Sequence, residues 1–188
     1  DRLSCIIADI FNKKEEIANK FFTDRRNGKE QSWKTFLGNQ KKEFLPKNWD
    51  NNKYNIVFYN SSISEFKAIS DQVELSDLFA NQIDAIMYIA EIINNQKDIN
   101  FYLRLHPNLL NQSKKEKQLW LSISHPSINI ITPESEVDTY ELMTKANLII
   151  VFMSTTGIEA AYYNKPVIQL ANSYYSKLGS TYFPKNVT

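Results

Sequence analysis

The sequence has little of what several common classes of protein require. It contains one cysteine, Cys5, among 188 residues, which excludes an intramolecular disulfide or a cysteine-based metal site and favours a reducing compartment. It has four glycines, and they do not form the glycine-rich loop of dinucleotide-binding or Walker-type ATP-binding sites. NAD binding and Walker-type ATP binding are therefore disfavoured.

Net charge and long apolar runs are scarce as well. The chain has 22 basic and 21 acidic residues and a net charge of +1, so it has no strong field to gather nucleic acid or to coat an anionic membrane. Apolar runs such as residues 148–153 are far too short to cross a bilayer. The N-terminus lacks the basic-then-apolar pattern of a signal peptide. We expect a cytoplasmic protein that does not bind nucleic acid.

The sequence does contain enough apolar residues, 43% of the chain, to bury a core. Short β-type runs occur at residues 56–59, 101–105, 128–131, 148–153 and 167–170. Helical patterns separate them, at about 77–95, after the capping pair Ser113 and Glu116, after Asp138 and Glu141, and at 156–163. Parallel strands need helical crossovers and are buried on both faces. The pattern predicts an α/β fold: a Rossmann-like, mainly parallel sheet with helices on both faces.

Residues 1–50 have a different pattern. Apolar residues at helical spacing between positions 3 and 22 predict an amphipathic helix, and residues 33–44 predict a second short helix that Pro46 ends. A polar linker at 48–53 marks a boundary. We expect N-terminal helices over residues 1–50 and the Rossmann-like domain over residues 51–188. Because the chain begins at Asp1 without an initiator methionine, we also expect it to be a piece of a longer protein.

Polar residues follow the predicted strands. In open parallel sheets, ligands bind in the crevice beyond the carboxyl ends of the strands. The residues there are Asn60, Ser61, Ser62, Ser64 and Glu65 after the first strand, His106 and Pro107 after the second, Pro133, Glu134 and Ser135 after the third, and Ser154, Thr155, Thr156 and Gly157 after the fourth. All of them should line one rim of the domain.

The Ser154-Thr155-Thr156-Gly157 segment lies between a buried strand and a helix. Free backbone N–H groups and the positive end of the helix dipole favour an anion there, and the hydroxyls add donors, so a phosphate fits. The alternative is that Ser154 or Thr155 only caps the helix. The two interpretations are compatible.

His106 directly follows a strand, and Pro107 fixes the direction of the chain after it. The imidazole is then a candidate donor to a phosphate or a base, although a histidine at a strand end is often structural. The pair His125-Pro126 precedes a strand and should lie at the opposite rim, as a turn.

Three further groups have two interpretations each. Glu159 could accept hydrogen bonds from ribose hydroxyls or be a first-turn acid that the helix dipole favours. Ser61, Ser62 and Ser64 could bind phosphate or an acceptor, with Glu65 capping or contacting sugar, or the segment could be a simple serine-rich turn. Arg104 could be a satisfied charge beneath a helix or reach the rim. Asn164 is expected at the left-handed position that ends the helix after Ser154.

These segments together resemble the bacterial capsule and surface polysaccharide biosynthesis glycosyltransferases. The motifs that carry the resemblance, within residues 54–183, are Ser61-Ser62 with Glu65, Arg104-Leu105-His106-Pro107-Asn108, Pro133-Glu134-Ser135 with Asp138-Thr139-Tyr140, and Ser154-Thr155-Thr156-Gly157-Ile158-Glu159-Ala160-Ala161 ending in Lys165-Pro166-Val167. More distantly, the His-Pro and Ser/Thr motifs are similar to those of bacterial sialyltransferases, Kdo transferases and glycerophosphate polymerases, where they hold a cytidine nucleotide.

The resemblance implies a GT-B enzyme, in which two Rossmann-like domains close around donor and acceptor. This chain would be the C-terminal, donor-binding domain. His106 and Pro107 would contact the nucleotide, Ser154, Thr155 and Thr156 its phosphate, and Glu159 its ribose. Asn164 stands where the wider GT-B class usually has Gly.

The resemblance also implies what lies outside the chain. Residues 1–50 would bridge from a missing N-terminal domain, which commonly supplies the catalytic base, so no catalytic residue is assigned. The donor would be a CMP-, CDP- or UDP-linked sugar, with no metal or other cofactor. The acceptor would be a glycan or a lipid-linked glycan, reached at the inner face of the cell membrane. The alternatives are a nucleotide-sugar epimerase of the same fold and a non-catalytic nucleotide-binding module.

Overall fold

The computed structural model describes residues 2–30, 35–62 and 76–186, with side chains from residue 9 onward. The chain divides into two compact units, Asp1–Gly38 and Asn39–Thr188. Within the described residues, no helix is long and apolar enough to cross a membrane.

The first unit is built on one long helix, α1 (Arg2–Arg26), which confirms the predicted amphipathic helix. At its end, Asp24 accepts hydrogen bonds from Lys20 at 2.6 Å and from Lys29 at 2.9 Å. These bonds lower the pKa of the Asp24 carboxyl to about 2. They hold the turn after α1 against the last residues of the helix.

The predicted helix over residues 33–44 is wrong for residues 35–44, which form turns. The backbone N–H of Lys41 donates to the carbonyl of Glu136 at 2.8 Å, and that of Glu43 donates to Oδ2 of Asp138 at 2.9 Å. Glu43 also has a left-handed φ of 61°, which a right-handed helix does not allow. Bonds to a distant loop therefore override the local helical pattern.

The second unit contains a five-stranded sheet within its described residues. Its strands are β1 (Tyr54–Tyr59), β2 (Ile99–Arg104), β3 (Ile128–Ile131), β4 (Leu148–Val151) and β5 (Val167–Gln169). All neighbours pair in parallel, in the order β3-β2-β1-β4-β5. The central strand β1 is buried from its second residue to its last, which is why residues 56–59 are a continuous run of apolar and aromatic side chains rather than an alternating one.

Four helices lie in the described residues of this unit, and two of them begin at side-chain caps that the sequence predicts. The four helices are α2 (Gln82–Ile93), α3 (Lys114–Leu121), α4 (Thr139–Lys145) and α5 (Thr156–Tyr162), with 3₁₀ turns at Pro107–Asn111 and Ser176–Leu178. The side chains of Ser113 and Asp138 accept backbone N–H groups of α3 and α4, as predicted. Helix α2 begins later than residue 77, because Asn81 caps it.

Helices cover both faces of the sheet, as expected. One face packs against α2 and α3 in a core that includes Phe58, Leu103, Ile150, Ile86 and Trp120. On the other face, the Tyr59 hydroxyl donates to the carbonyl of Thr139, the first residue of α4, at 2.9 Å. Helix α5 packs on β4 and β5. The expected fold class is therefore confirmed.

Residues 39–53 belong to the second unit by their contacts. The ring of Trp49 stacks on Tyr102 with centroids 5.1 Å apart, and the Tyr102 hydroxyl donates to the carbonyl of Asn48 at 3.0 Å. Contacts thus divide the chain between Gly38 and Asn39. The assignment of residues 1–50 as a bridge from another domain stays a prediction.

Candidate functional site

The candidate site lies at the carboxyl edge of the sheet. Because all five strands are parallel, the segments that follow them emerge at the same edge. The chain order reverses between β1 and β4, and such a switch point is where sheets of this kind bind ligands. Neighbouring strands lie about 5 Å apart, so the ends of β2 and β4 are roughly 10 Å apart across β1. His106 and Ser154 therefore lie at one edge of one sheet, as predicted.

His106 is held in a defined orientation and tautomer. Its backbone N–H donates to Oδ1 of the buried Asn60 at 2.6 Å, and its ring Nδ1 accepts the backbone N–H of Asn108 at 3.1 Å. An Nδ1 that accepts a hydrogen bond leaves the proton of the neutral ring on Nε2. Burial, and secondly the positive charge of Arg104, lower the pKa of His106 to about 4. His106 is thus a neutral donor at physiological pH.

His125 serves as the internal comparison. It lies before β3, at the amino edge of the sheet, as predicted. Its Nδ1 accepts the backbone N–H of Ser127 at 3.2 Å, and its Nε2 is 3.4 Å from Oε1 of Glu91. The His-Pro pair at this edge therefore joins a turn to the end of α2.

The turn after β4 is formed by Ser154 and Thr155. Oγ of Ser154 accepts the N–H of Thr156 at 3.3 Å and lies 3.0 Å from its hydroxyl. The N–H of Gly157 donates to the Ser154 carbonyl, and the next two N–H groups donate to the carbonyl of Thr155, at 3.0, 3.2 and 3.3 Å. The expectation of free N–H groups at this helix start is therefore wrong for residues 156–159. What the turn offers a ligand is its hydroxyls.

Gly157 is required by packing beneath the turn. A Cβ at this position would lie 2.9 Å from Cγ2 of Val151 and would collide with the Tyr175 hydroxyl. Tyr175 is fully buried, its hydroxyl donates to the Ser154 carbonyl, and burial raises its pKa. The structure places Gly157 against these two side chains, and its predicted contact with the donor stays a prediction.

The loop that carries Tyr175 is organised by Gln169, a fully buried residue. Its Nε2 is within hydrogen-bond distance of the hydroxyls of Ser173 (2.8 Å) and Ser176 (2.7 Å) and of the Ala171 carbonyl. Its Oε1 accepts from the hydroxyl of Thr181 at 2.9 Å. The sequence reasoning missed this role, because nothing around Gln169 in the sequence signals its partners.

Glu159 faces α4. It is 5% exposed, and its Oε2 accepts the hydroxyl of Tyr140 at 2.5 Å. A role at a ribose stays a prediction, and the bond to Tyr140 would have to be exchanged or shared.

Asn164, after the same helix, has the expected left-handed φ of 57°. The N–H groups of Asn164 and Lys165 donate to the carbonyls of Ala161 and Ala160, a Schellman end of the helix.

Ser61 and Ser62, at the end of β1, are buried. The backbone of Ser61 exchanges two hydrogen bonds with the side-chain amide of Gln82, at 2.8 and 3.2 Å, a contact that sequence reasoning missed. Oγ of Ser61 has no hydrogen-bond partner among the described residues. Glu65 lies outside the described residues.

Arg104, the last residue of β2, is 2% exposed. Its Nη1 donates to the carbonyl of Thr132 at 2.5 Å, just after the end of β3. Burial lowers the pKa of Arg104 to about 10, against the opposing influence of Tyr59 and Glu134, so it is charged at neutral pH. The guanidinium thus lies at the carboxyl edge, a position that the sequence left open.

In the described part of the chain, no three His, Cys, Asp or Glu side chains are grouped so that they could hold a metal ion. The edge does carry acceptors, such as the carboxylate of Glu159, and it carries several donors: one neutral imidazole, one buried guanidinium and the hydroxyls after β4. These donors suit an oxyanion ligand.

No protein-family model matches the chain, and no curated protein matches its sequence. Solved structures do match. KpsC of Thermosulfurimonas dismutans, a beta Kdo 2,4 transferase, superposes with a TM-score of 0.57 at 16% identity, over 92% of this chain and 48% of that one. A UDP-GlcNAc 2-epimerase from Methanocaldococcus jannaschii gives a TM-score of 0.47 at 20% identity, over 71% of this chain and 35% of that one. This chain, which spans about half the length of KpsC, therefore has the Rossmann-like α/β fold of the GT-B proteins that its motifs resemble.

Proposed function

We propose that the chain binds a nucleotide-activated sugar at the carboxyl edge of its sheet, as the donor-binding part of a glycosyltransferase for capsular or other surface polysaccharide. The donor would be CMP-, CDP- or UDP-linked, and the acceptor a glycan or lipid-linked glycan. A further domain would supply the catalytic base. The observation that carries the proposal is the tautomer of His106, with its proton on Nε2, at the same edge as the hydroxyls of Ser154 and Thr156.

The chemistry follows from this arrangement. Glycosyl transfer develops negative charge on the departing phosphate, and preorganised donors aimed at that charge lower the barrier. The Nε2–H of His106 and the hydroxyls after β4 are donors on either side of β1. The low pKa of His106 makes it a neutral donor rather than a counter-ion, so it would act by hydrogen bonding.

Titration of the chain with CMP, CDP, UDP and GDP by calorimetry tests the proposal. We expect saturable binding of at least one of the four. Removing a hydrogen bond to a charged group costs about 1.5–3 kcal/mol, so His106→Ala should weaken that binding about 10- to 150-fold. His106→Ala combined with Ser154→Ala should weaken it further.

His125→Ala is the matched control, because it removes the same side chain from the same dipeptide at the opposite edge. It should leave the affinity unchanged. Absence of saturable binding by the unaltered chain, or equal affinity of the chain and the His106→Ala/Ser154→Ala variant, would refute the proposed site.

Product analysis of the full-length protein separates transfer from its alternatives. Incubation with a labelled nucleotide sugar and an acceptor should give labelled glycan. An epimerised nucleotide sugar formed without acceptor would indicate an epimerase instead, and binding with no product would indicate a nucleotide-binding module.

A further inference from the structure

The side chain of Arg104 is a buried cation whose hydrogen-bonding capacity is only partly used. Its Nη1 is bound to the Thr132 carbonyl, whereas Nε and Nη2 have no hydrogen-bond partner among the described residues. No ion pair joins Arg104 to a described carboxylate. A buried charge without an ion-pair partner is strongly unfavourable, so this arrangement calls for an anion that the described residues do not provide.

The two nitrogens without partners form one edge of the guanidinium. The N–H bonds of Nε and Nη2 point in the same direction and match the spacing of two oxygens of a carboxylate or phosphate, the bidentate geometry that makes arginine–oxyanion pairs strong. The nitrogen that is already engaged, Nη1, lies outside this edge. No described group therefore bonds to the bidentate edge of Arg104, although both of its nitrogens are buried.

The surroundings place this edge at the candidate site. Arg104 ends β2 two residues before His106, and Ser61, two residues after the end of the adjacent β1, also has a buried hydroxyl without a described partner. The charged or titratable groups that influence Arg104 are Tyr59, its register partner, and Glu134. The Tyr59 hydroxyl donates a hydrogen bond to the carbonyl of Thr139. Glu134 is exposed and forms no described ion pair with Arg104, so neither group supplies the missing anion.

We propose that the Nε–Nη2 edge of Arg104 binds two oxygens of an anionic group of the ligand. The group is either a phosphate of the nucleotide or a carboxylate of an acidic sugar. The proposal rests on the proposed function, because it assumes that a nucleotide sugar occupies this edge. Both nitrogens are shielded from solvent in the described conformation. Binding therefore requires the guanidinium to turn toward the rim.

Two substitutions separate charge from geometry. Arg104→Lys keeps the positive charge and loses the bidentate edge, and Arg104→Met replaces the cation by an apolar side chain of similar length. Lys165→Met is the control, since it removes a cation whose Nζ donates to the Ala146 carbonyl at the opposite edge. Affinities are measured by calorimetry for UDP, CMP, UDP-glucose, UDP-glucuronate and inorganic pyrophosphate.

If the anion is a phosphate, both Arg104 variants should bind the nucleotides and pyrophosphate at least tenfold more weakly. If it is the sugar carboxylate, the unaltered chain should prefer UDP-glucuronate to UDP-glucose about tenfold, and the Arg104 variants should lose that preference alone. Lys165→Met should match the unaltered chain throughout. Unchanged affinities of both Arg104 variants for every ligand that the unaltered chain binds would overturn the inference and leave the proposed function standing.

If the unaltered chain binds none of the nucleotides, the proposed function fails first. Saturable binding of pyrophosphate that Arg104→Lys abolishes would still support an anion site at Arg104, and no binding of any probe would overturn both.

Thermal unfolding adds a readout that a purely structural arginine would not give. Because Arg104→Met removes a buried charge that lacks an ion-pair partner, the variant should be at least as stable as the unaltered chain without ligand. If Arg104→Met and Glu134→Gln each lower the melting temperature and their effects are not additive, Glu134 is the partner of Arg104 in solution and the inference is wrong.

Discussion

Replacing Gly157 by alanine tests how the turn after β4 is built. The new Cβ would lie 2.9 Å from Cγ2 of Val151 and 3.2 Å from Cζ of Tyr175, and closer still to the Tyr175 hydroxyl. Overpacking of a core costs about 1–3 kcal/mol. A weakened bond from Tyr175 to the Ser154 carbonyl adds about 1 kcal/mol, and the better helix propensity of alanine returns up to about 1 kcal/mol.

The free energy of unfolding should therefore fall by about 1–3 kcal/mol, which lowers the melting temperature of a chain of this size by roughly 3–10 °C. Urea unfolding followed by circular dichroism measures the first quantity, and a thermal scan the second. Gly38→Ala is the matched control, because a Cβ there has nothing within 4 Å; its effect should stay within about 0.5 kcal/mol.

Tyr175→Phe removes the atom nearest to the added Cβ. The double variant Gly157→Ala/Tyr175→Phe should therefore be more stable than the sum of the two single effects predicts. Strict additivity, or a Gly157→Ala chain as stable as Gly38→Ala, would refute the reasoning that Gly157 makes room for Tyr175.

Three further predictions concern other parts of the second unit. Asn164→Val should lose about 1–2 kcal/mol of stability in urea unfolding, since a β-branched residue is strained at a φ of 57°, whereas Asn164→Gly should be neutral; equal effects would contradict the left-handed assignment. Tyr140→Phe should lower the free energy of unfolding by about 1–3 kcal/mol, because the buried Glu159 loses a donor, and an unchanged unfolding midpoint would contradict that contact. The pKa of His106 is lowered from 6.5 to about 4, so the unfolded state binds more protons between these values and stability should fall as the pH falls from about 6.5 to 4. His106→Gln should show a shallower fall over that window, and identical pH profiles would contradict the buried neutral imidazole.

The main features of the fold could be predicted from the sequence because they depend on local patterns. Each strand of the sheet lies on a short, mostly apolar run, and Ser113 and Asp138 are caps that act within their own turn. The left-handed position of Asn164 follows from the same kind of local rule. The failure at residues 35–44 arose where the chain bonds to Glu136 and Asp138, about 95 positions away, which no local pattern reveals.

The candidate site could be predicted only in part. The edge at which His106 and Ser154 lie follows from parallel topology, so the order of the strands sufficed. The partners of the individual groups did not follow. These partners come together only in the folded chain. Gly157 makes room for Tyr175, and Glu159 accepts a hydrogen bond from Tyr140. The N–H groups of residues 156–159 are engaged within their own turn.

The central claim is that a nucleotide binds at the carboxyl edge beside His106, and the chain's two histidines make it directly measurable. In a ¹⁵N-histidine-labelled chain, NMR should show the ring of His106 neutral with its proton on Nε2. Titration with CMP, CDP or UDP should shift the Nε2 signal of His106 in a saturable manner and leave that of His125 in place. A shift confined to His125, or no shift of either ring under conditions where calorimetry records binding, would contradict the account.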